Sequence, residues 1–195
     1  MATSSYEDKS MTEDAKGNKT DGIAMFQRMI EMKLDKEKKR GNEMGKVFED
    51  FFSELQTDMV EICLEYVEDR AEKIYIYCSF EGGVQSCNFF YKVNGKVVKK
   101  SRLNDVIVDG QEEYDVSIPR QCDVMEILNE DMVALRKLCE EYQREMPTQI
   151  KLIYDVAANS LNADYSYDII YSNDKDKMAE DVLEEWYESE KSKEE

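Results

Sequence analysis

The chain of 195 residues contains no histidine, only two prolines and one tryptophan. Without an imidazole, the Ser-His-Asp and Cys-His nucleophile arrangements are excluded, although carboxylate chemistry stays open. No Gly-rich phosphate loop, G-x-S-x-G or H-E-x-x-H sequence occurs, so no cofactor is expected. The apolar runs are short and broken by charges, far below the roughly 20 residues that a membrane span needs. The start, Met1-Ala2-Thr3-Ser4-Ser5-Tyr6-Glu7, is polar and unlike a secretory signal, which makes a cytoplasmic protein the expectation.

The five cysteines (Cys63, Cys78, Cys87, Cys122, Cys139) are odd in number and include no C-x-x-C pair, so neither a zinc site nor a disulfide framework is expected. A two-residue turn at Gly82-Gly83 would place Cys78 opposite Cys87 on neighbouring strands, where a disulfide is geometrically possible. In a reducing cytosol both are expected as thiols.

What is abundant is negative charge, with 44 acidic against 26 basic side chains and a formal net charge of −18. It is unevenly placed: residues 1–43 are neutral, with nine of each sign, whereas residues 155–195 carry thirteen acidic and four basic side chains. Such a surface repels nucleic acid and anionic membranes, so neither is an expected partner; a protein that is basic at its contact surface is. Net negative charge also serves solubility alone, and by itself favours that plainer reading.

Residues 1–43 read as a disordered extension with a short helix possible at 22–40, leaving residues 44–195 as one folded domain. Val47, Phe48, Phe51, Phe52, Leu55, Met59, Ile62, Cys63 and Tyr66 recur at helical spacing, predicting an amphipathic helix over 44–69. The period then falls to two. Ile74, Ile76, Cys78 and Phe80 alternate with Lys73, Tyr75, Tyr77 and Ser79, and Cys87, Phe89, Tyr91 and Val93 continue the same face after the Gly82-Gly83 turn. Asn94-Gly95 signals another hairpin, leading to Val97 and Val98. Val106-Ile107-Val108 is ambiguous and could form a further strand.

Cys122, Met125, Leu128, Met132, Leu135 and Cys139 restore helical spacing over 122–145. A second hairpin over 150–156 and 161–169 follows, then a helix over 175–191 with Met178, Val182 and Trp186 on one stripe. The class is therefore α+β, an antiparallel sheet of five to six strands packed with two to three amphipathic helices in the order α-β-β-β-α-β-β-α.

Two groups of residues could carry function. Asp155, Asp164 and Asp168 on the second hairpin could ligate a metal, but a solvated strand face explains them better. Tyrosines set among acidic residues suit a protein-binding surface, since the ring gives contact area at low entropy cost. About half of the strand tyrosines should instead be core.

The order of motifs resembles the YezG-like immunity (antitoxin) family. The similarity rests on Lys73-Ile-Tyr-Ile-Tyr77, Asn88-Phe-Phe-Tyr91, Ile118-Pro119, a long acidic Leu-rich helix, Pro147-Thr148, Tyr165-Ser-Tyr167-Asp168 and a terminal helix bearing Trp186, over about residues 45–190. Tryptophans that such proteins often carry before the first strand and after the proline are absent, and residues 1–43 are additional. The resemblance implies a cytosolic antitoxin that blocks a polymorphic toxin of the LXG type, often a nuclease, exported by type VII secretion in interbacterial competition.

On this reading the protein is not an enzyme, and an acidic, tyrosine-bearing face docks on a toxin's basic cleft. The residues expected to bind the partner are Asp164, Tyr165, Tyr167 and Asp168 with Glu180, Asp181, Glu184, Glu185 and Glu188. The alternatives are an adaptor or secretion chaperone for an exported partner and, third, the carboxylate metal enzyme.

Overall fold

The computed structural model describes residues 46–194. The extension and its helix at 22–40 therefore lie outside the described residues. The elements are α1 (Phe48–Tyr66), β1 (Lys73–Glu81), β2 (Val84–Val93), β3 (Lys96–Lys99), α2 (Ile118–Glu141), β4 (Gln149–Asp155), β5 (Ser160–Ser166) and α3 (Ala179–Ser192), with a 3₁₀ segment at Lys100–Asp105. The fold is α+β, and the element order is the expected one. All five strands run antiparallel in the order β3-β2-β1-β4-β5.

Turn chemistry sets the registers. Gly82 and Gly83 both have positive φ, as do Asn94 and Gly95, which gives both hairpins the left-handed turn residues that match strand twist. The first turn pairs Glu81 with Val84 and thereby Cys78 with Cys87, as the spacing predicted; both thiols are free.

One face of the sheet packs on α1 and α2. The Tyr66 ring stacks with Tyr91 at 6.1 Å and meets Phe89 edge-on at 5.5 Å, and the Tyr91 hydroxyl donates to the Cys63 carbonyl at 2.6 Å. That hydroxyl needs a partner because the whole residue is buried.

The other face is also buried at its centre. Tyr75, Tyr77, Phe90 and Val97 point there and are buried under α3, where Trp186 meets Tyr75 at 5.8 Å and Phe90 at 5.1 Å. The sheet is thus the middle of three layers. Tyrosine alternating with isoleucine gives β1 two apolar faces, one per layer.

Several boundaries differ from expectation, among them the start of α3 at Ala179 and not 175 and the end of β5 at Ser166 and not 169. Helix α1 spans Phe48–Tyr66 and not 44–69, since Glu68 and Asp69 adopt positive φ and end it. Helix α2 begins four residues earlier than its apolar period, because Pro119 fits the first turn, where its missing N–H would be unpaired anyway. Val106–Val108 is not a strand: the Val106 carbonyl accepts from the Asn94 side chain, and Val108 closes a turn with Gln111, so no ladder is needed.

Candidate partner-binding surface

The residues singled out from sequence fall into two groups, one at β5 and one on α3. Their positions follow from the sheet order. Glu184 pairs with Lys99 of β3 at 2.7 Å, and β3 is the edge opposite β5. Four inter-strand steps separate those edges, roughly 19 Å at about 4.8 Å each.

In the β5 group, Asp164 is exposed and lies opposite Lys151. Tyr165 is half-buried on the face that bears α1; its ring packs edge-on against Phe52 of α1 at 5.5 Å, and its hydroxyl accepts from the Gln56 amide. Burial pushes its ionisation up, a shift opposed by that Gln56 bond. This ring is already committed within the fold, so it is not the free anchor expected of it. Tyr167 is 51% exposed and answers that description better.

Strand β5 ends at Ser166, so Asp168 does not share a strand face with Asp164. Its N–H donates to the Ser166 hydroxyl at 3.2 Å, and its carbonyl accepts from the Thr148 hydroxyl at 2.6 Å. Asp155 stands opposite Ser160, four rungs from the Lys151–Asp164 pair, which is roughly 13 Å along the strand. The three aspartates therefore do not converge as metal ligands. Among the described residues no group of three or more Cys, Asp or Glu could hold an ion.

On α3, Ala179, Val182, Trp186 and Tyr187 are buried, and the acidic residues occupy the outer side. Asp181 accepts from the Met178 N–H at 2.7 Å and so holds the helix start. Glu185 pairs with Lys177 at 2.8 Å and Glu188 with Lys191 at 3.8 Å. Glu180 projects from the same side and is exposed. These ion pairs are at the surface and weakly stabilising, about 0–1 kcal/mol each, so the carboxylates stay available to a partner.

Sequence reasoning missed two features. The first is an aromatic cluster beside Tyr165: Phe48 meets Phe52 at 5.5 Å and Tyr142 at 5.7 Å, and Phe51 meets Tyr142 at 6.3 Å. Its members come from distant parts of the chain, and periodicity had assigned Phe48, Phe51 and Phe52 to the core. They are only half-buried.

The second is Glu81, which is buried at 4% exposure. One of its oxygens accepts from the Ile170 N–H at 2.9 Å, the other from Tyr171 at 3.2 Å and Ser172 at 2.9 Å. Burial alone would raise this carboxyl; the three backbone donors and the Ser172 side chain outweigh it and hold the group below the usual range. Glu81 thereby fixes the crossing from β5 to α3.

Most of the remaining perturbed groups are core members; Lys92, Lys100 and Asp115 are part-exposed. Burial raises Cys63 and Tyr91, and Tyr77 is pushed up to about 12. A hollow lined by Glu72, Lys73, Lys92 and Asp155 is internally paired: Lys92 binds Glu194 at 2.6 Å, and Lys73 lies 3.7 Å from Asp155.

No helix among the described residues is long and apolar enough to cross a membrane. No protein-family model matches the chain, and no curated protein matches it either.

Proposed function

We propose that this protein works by stoichiometric binding of a basic protein partner and, more specifically, that it is a cytoplasmic immunity protein neutralising a secreted bacterial toxin. The observation that carries the first step is that every Asp and Glu between residues 164 and 188 is exposed. These carboxylates stand on or beside elements held rigidly by Glu81, Trp186 and Tyr165. Fixed charges of one sign steer a partner of the other, raising the association rate more than the final affinity. The motif resemblance to YezG-like antitoxins supports the second step, and the toxin's basic substrate cleft is the surface such a face would occlude.

The test is co-expression with the protein encoded in the adjoining gene, scoring growth and co-purification. An antitoxin rescues growth and purifies with its toxin, whereas an adaptor or secretion chaperone alters only export. Charge reversal at Glu180, Glu184 and Glu185 leaves the fold intact and slows association, most clearly at low salt. An unchanged rate, equally fast at high salt, would defeat the electrostatic part.

A further inference from the structure

The two edges of the sheet are treated differently. At β3 the backbone is occupied: the Val97 N–H donates to a Glu194 carboxylate oxygen at 2.9 Å, and the Tyr187 hydroxyl reaches the Val97 carbonyl at 3.5 Å. At β5 it is open. Which β5 groups face outward follows from the ladder phase. Phe80 N–H bonds the Thr148 carbonyl and Val156 N–H bonds the Glu72 carbonyl, so even-numbered residues of β4 face β1 and odd-numbered ones face β5. Their β5 partners, Ser160, Asn162, Asp164 and Ser166, turn their N–H and C=O groups inward. Leu161, Ala163 and Tyr165 turn theirs out.

Among the described residues nothing bonds those three outward backbones. The strand is seven residues long and carries no lysine, arginine or proline, the residues that commonly blunt an edge. Its two faces also differ in chemistry. Leu161, Ala163 and Tyr165 lie on the side of α1, continuous with the Phe52 aromatics, whereas Asn162 and Asp164 lie on the other side and are exposed.

We infer that the free edge of β5 is a docking site for an extended segment of the basic partner, which adds to the sheet as a sixth strand. The segment places apolar side chains beside Leu161, Ala163 and Tyr165 and cationic ones beside Asp164. Main-chain bonds supply affinity and the alternation supplies specificity, the usual division in strand addition. A second copy of this chain is a poorer occupant, because it brings a further −18 of charge to the same edge. This inference rests on the partner-binding reading and adds where the partner sits.

The test uses the full chain and a fluorescent peptide of alternating lysine and valine, as long as β5, with a block-ordered peptide of the same composition as control. The alternating peptide is expected to bind about tenfold more tightly than the block peptide, and to shift the amide signals of Leu161, Ala163 and Tyr165. Ala163→Pro removes an outward N–H and leaves the ladder to β4 untouched, so it should abolish that preference with little change in melting temperature. Should that variant misfold, Asp164→Lys at full stability must weaken the alternating peptide.

Equal binding of the two peptides, or binding indifferent to both substitutions, overturns the proposal. So does a dimer in sedimentation that Ala163→Pro dissociates, since the edge would then belong to a second copy. Growth rescue by Ala163→Pro equal to that by the parent chain removes the docking site and keeps the antitoxin; failure of the parent chain to rescue, with peptide docking intact, does the reverse.

Discussion

Replacing Glu81 by glutamine should be the most damaging single-atom change in the protein. The carboxylate receives three backbone N–H groups, one on one oxygen and two on the other, in a residue only 4% exposed. Glutamine keeps one acceptor oxygen and turns an NH2 donor toward N–H donors. Hydrogen bonds to a charged group are worth about 1.5–3 kcal/mol, roughly twice a neutral one, so losing the charge and stranding at least one donor should cost about 2–4 kcal/mol.

For a domain of this size that is a fall in melting temperature of about 5–15 °C. The single tryptophan, Trp186, sits in the α3 interface and reports unfolding directly. The folded carboxyl is held low, so its stabilisation is complete above the unfolded glutamate value of about 4.3 and is lost as pH falls through the lower folded value. The gap between parent and Glu81→Gln should therefore be widest near neutrality and close on acidification. Equal melting temperatures at neutral pH, or a gap that persists in strong acid, would refute the role given to this carboxylate.

Trp186→Ala should destabilise the domain by about 3–5 kcal/mol, because it leaves Tyr75 and Phe90 facing a void. Hydrogen exchange should speed up first in α3. Tyr91→Phe strands the Cys63 carbonyl and should cost about 1–3 kcal/mol in urea unfolding. With Ellman's reagent the native protein should show one rapidly reacting thiol, Cys122, because Cys63, Cys78, Cys87 and Cys139 are buried; denaturant should release all five.

Much of this fold was legible in the sequence because its signals are local. The glycine pair at 82–83 and Asn94-Gly95 carry the turn conformations themselves, and so they placed three strands and the opposition of Cys78 to Cys87 correctly. The two-sided burial of β1 was legible only in part. Tyrosine is compatible with either a wet or a dry face, and what decides is Trp186, over a hundred residues away. The same holds for Tyr165, whose ring and hydroxyl were taken up by Phe52 and Gln56 of the first helix.

The acidic residues were read well as exposed, since unpaired burial of a carboxylate is costly. Glu81 and Asp131 are exceptions, and for Glu81 the reason lies in three backbone donors that no spacing announces. The separation of the β5 and α3 groups was hidden for a related reason. Sequence places Asp168 and Glu180 twelve residues apart, but α3 crosses the sheet, with Trp186 beside Lys151 of β4 and Glu184 paired to Lys99 of β3.

The most direct test of a partner-neutralising role is growth of cells expressing the protein from the adjoining gene, with and without this chain, followed by mass measurement of the purified complex. The expected result is growth arrest relieved only by co-expression, with a stable complex at fixed stoichiometry that weakens at high salt. Growth that is unaffected by this chain, with no complex between the two proteins, would contradict it.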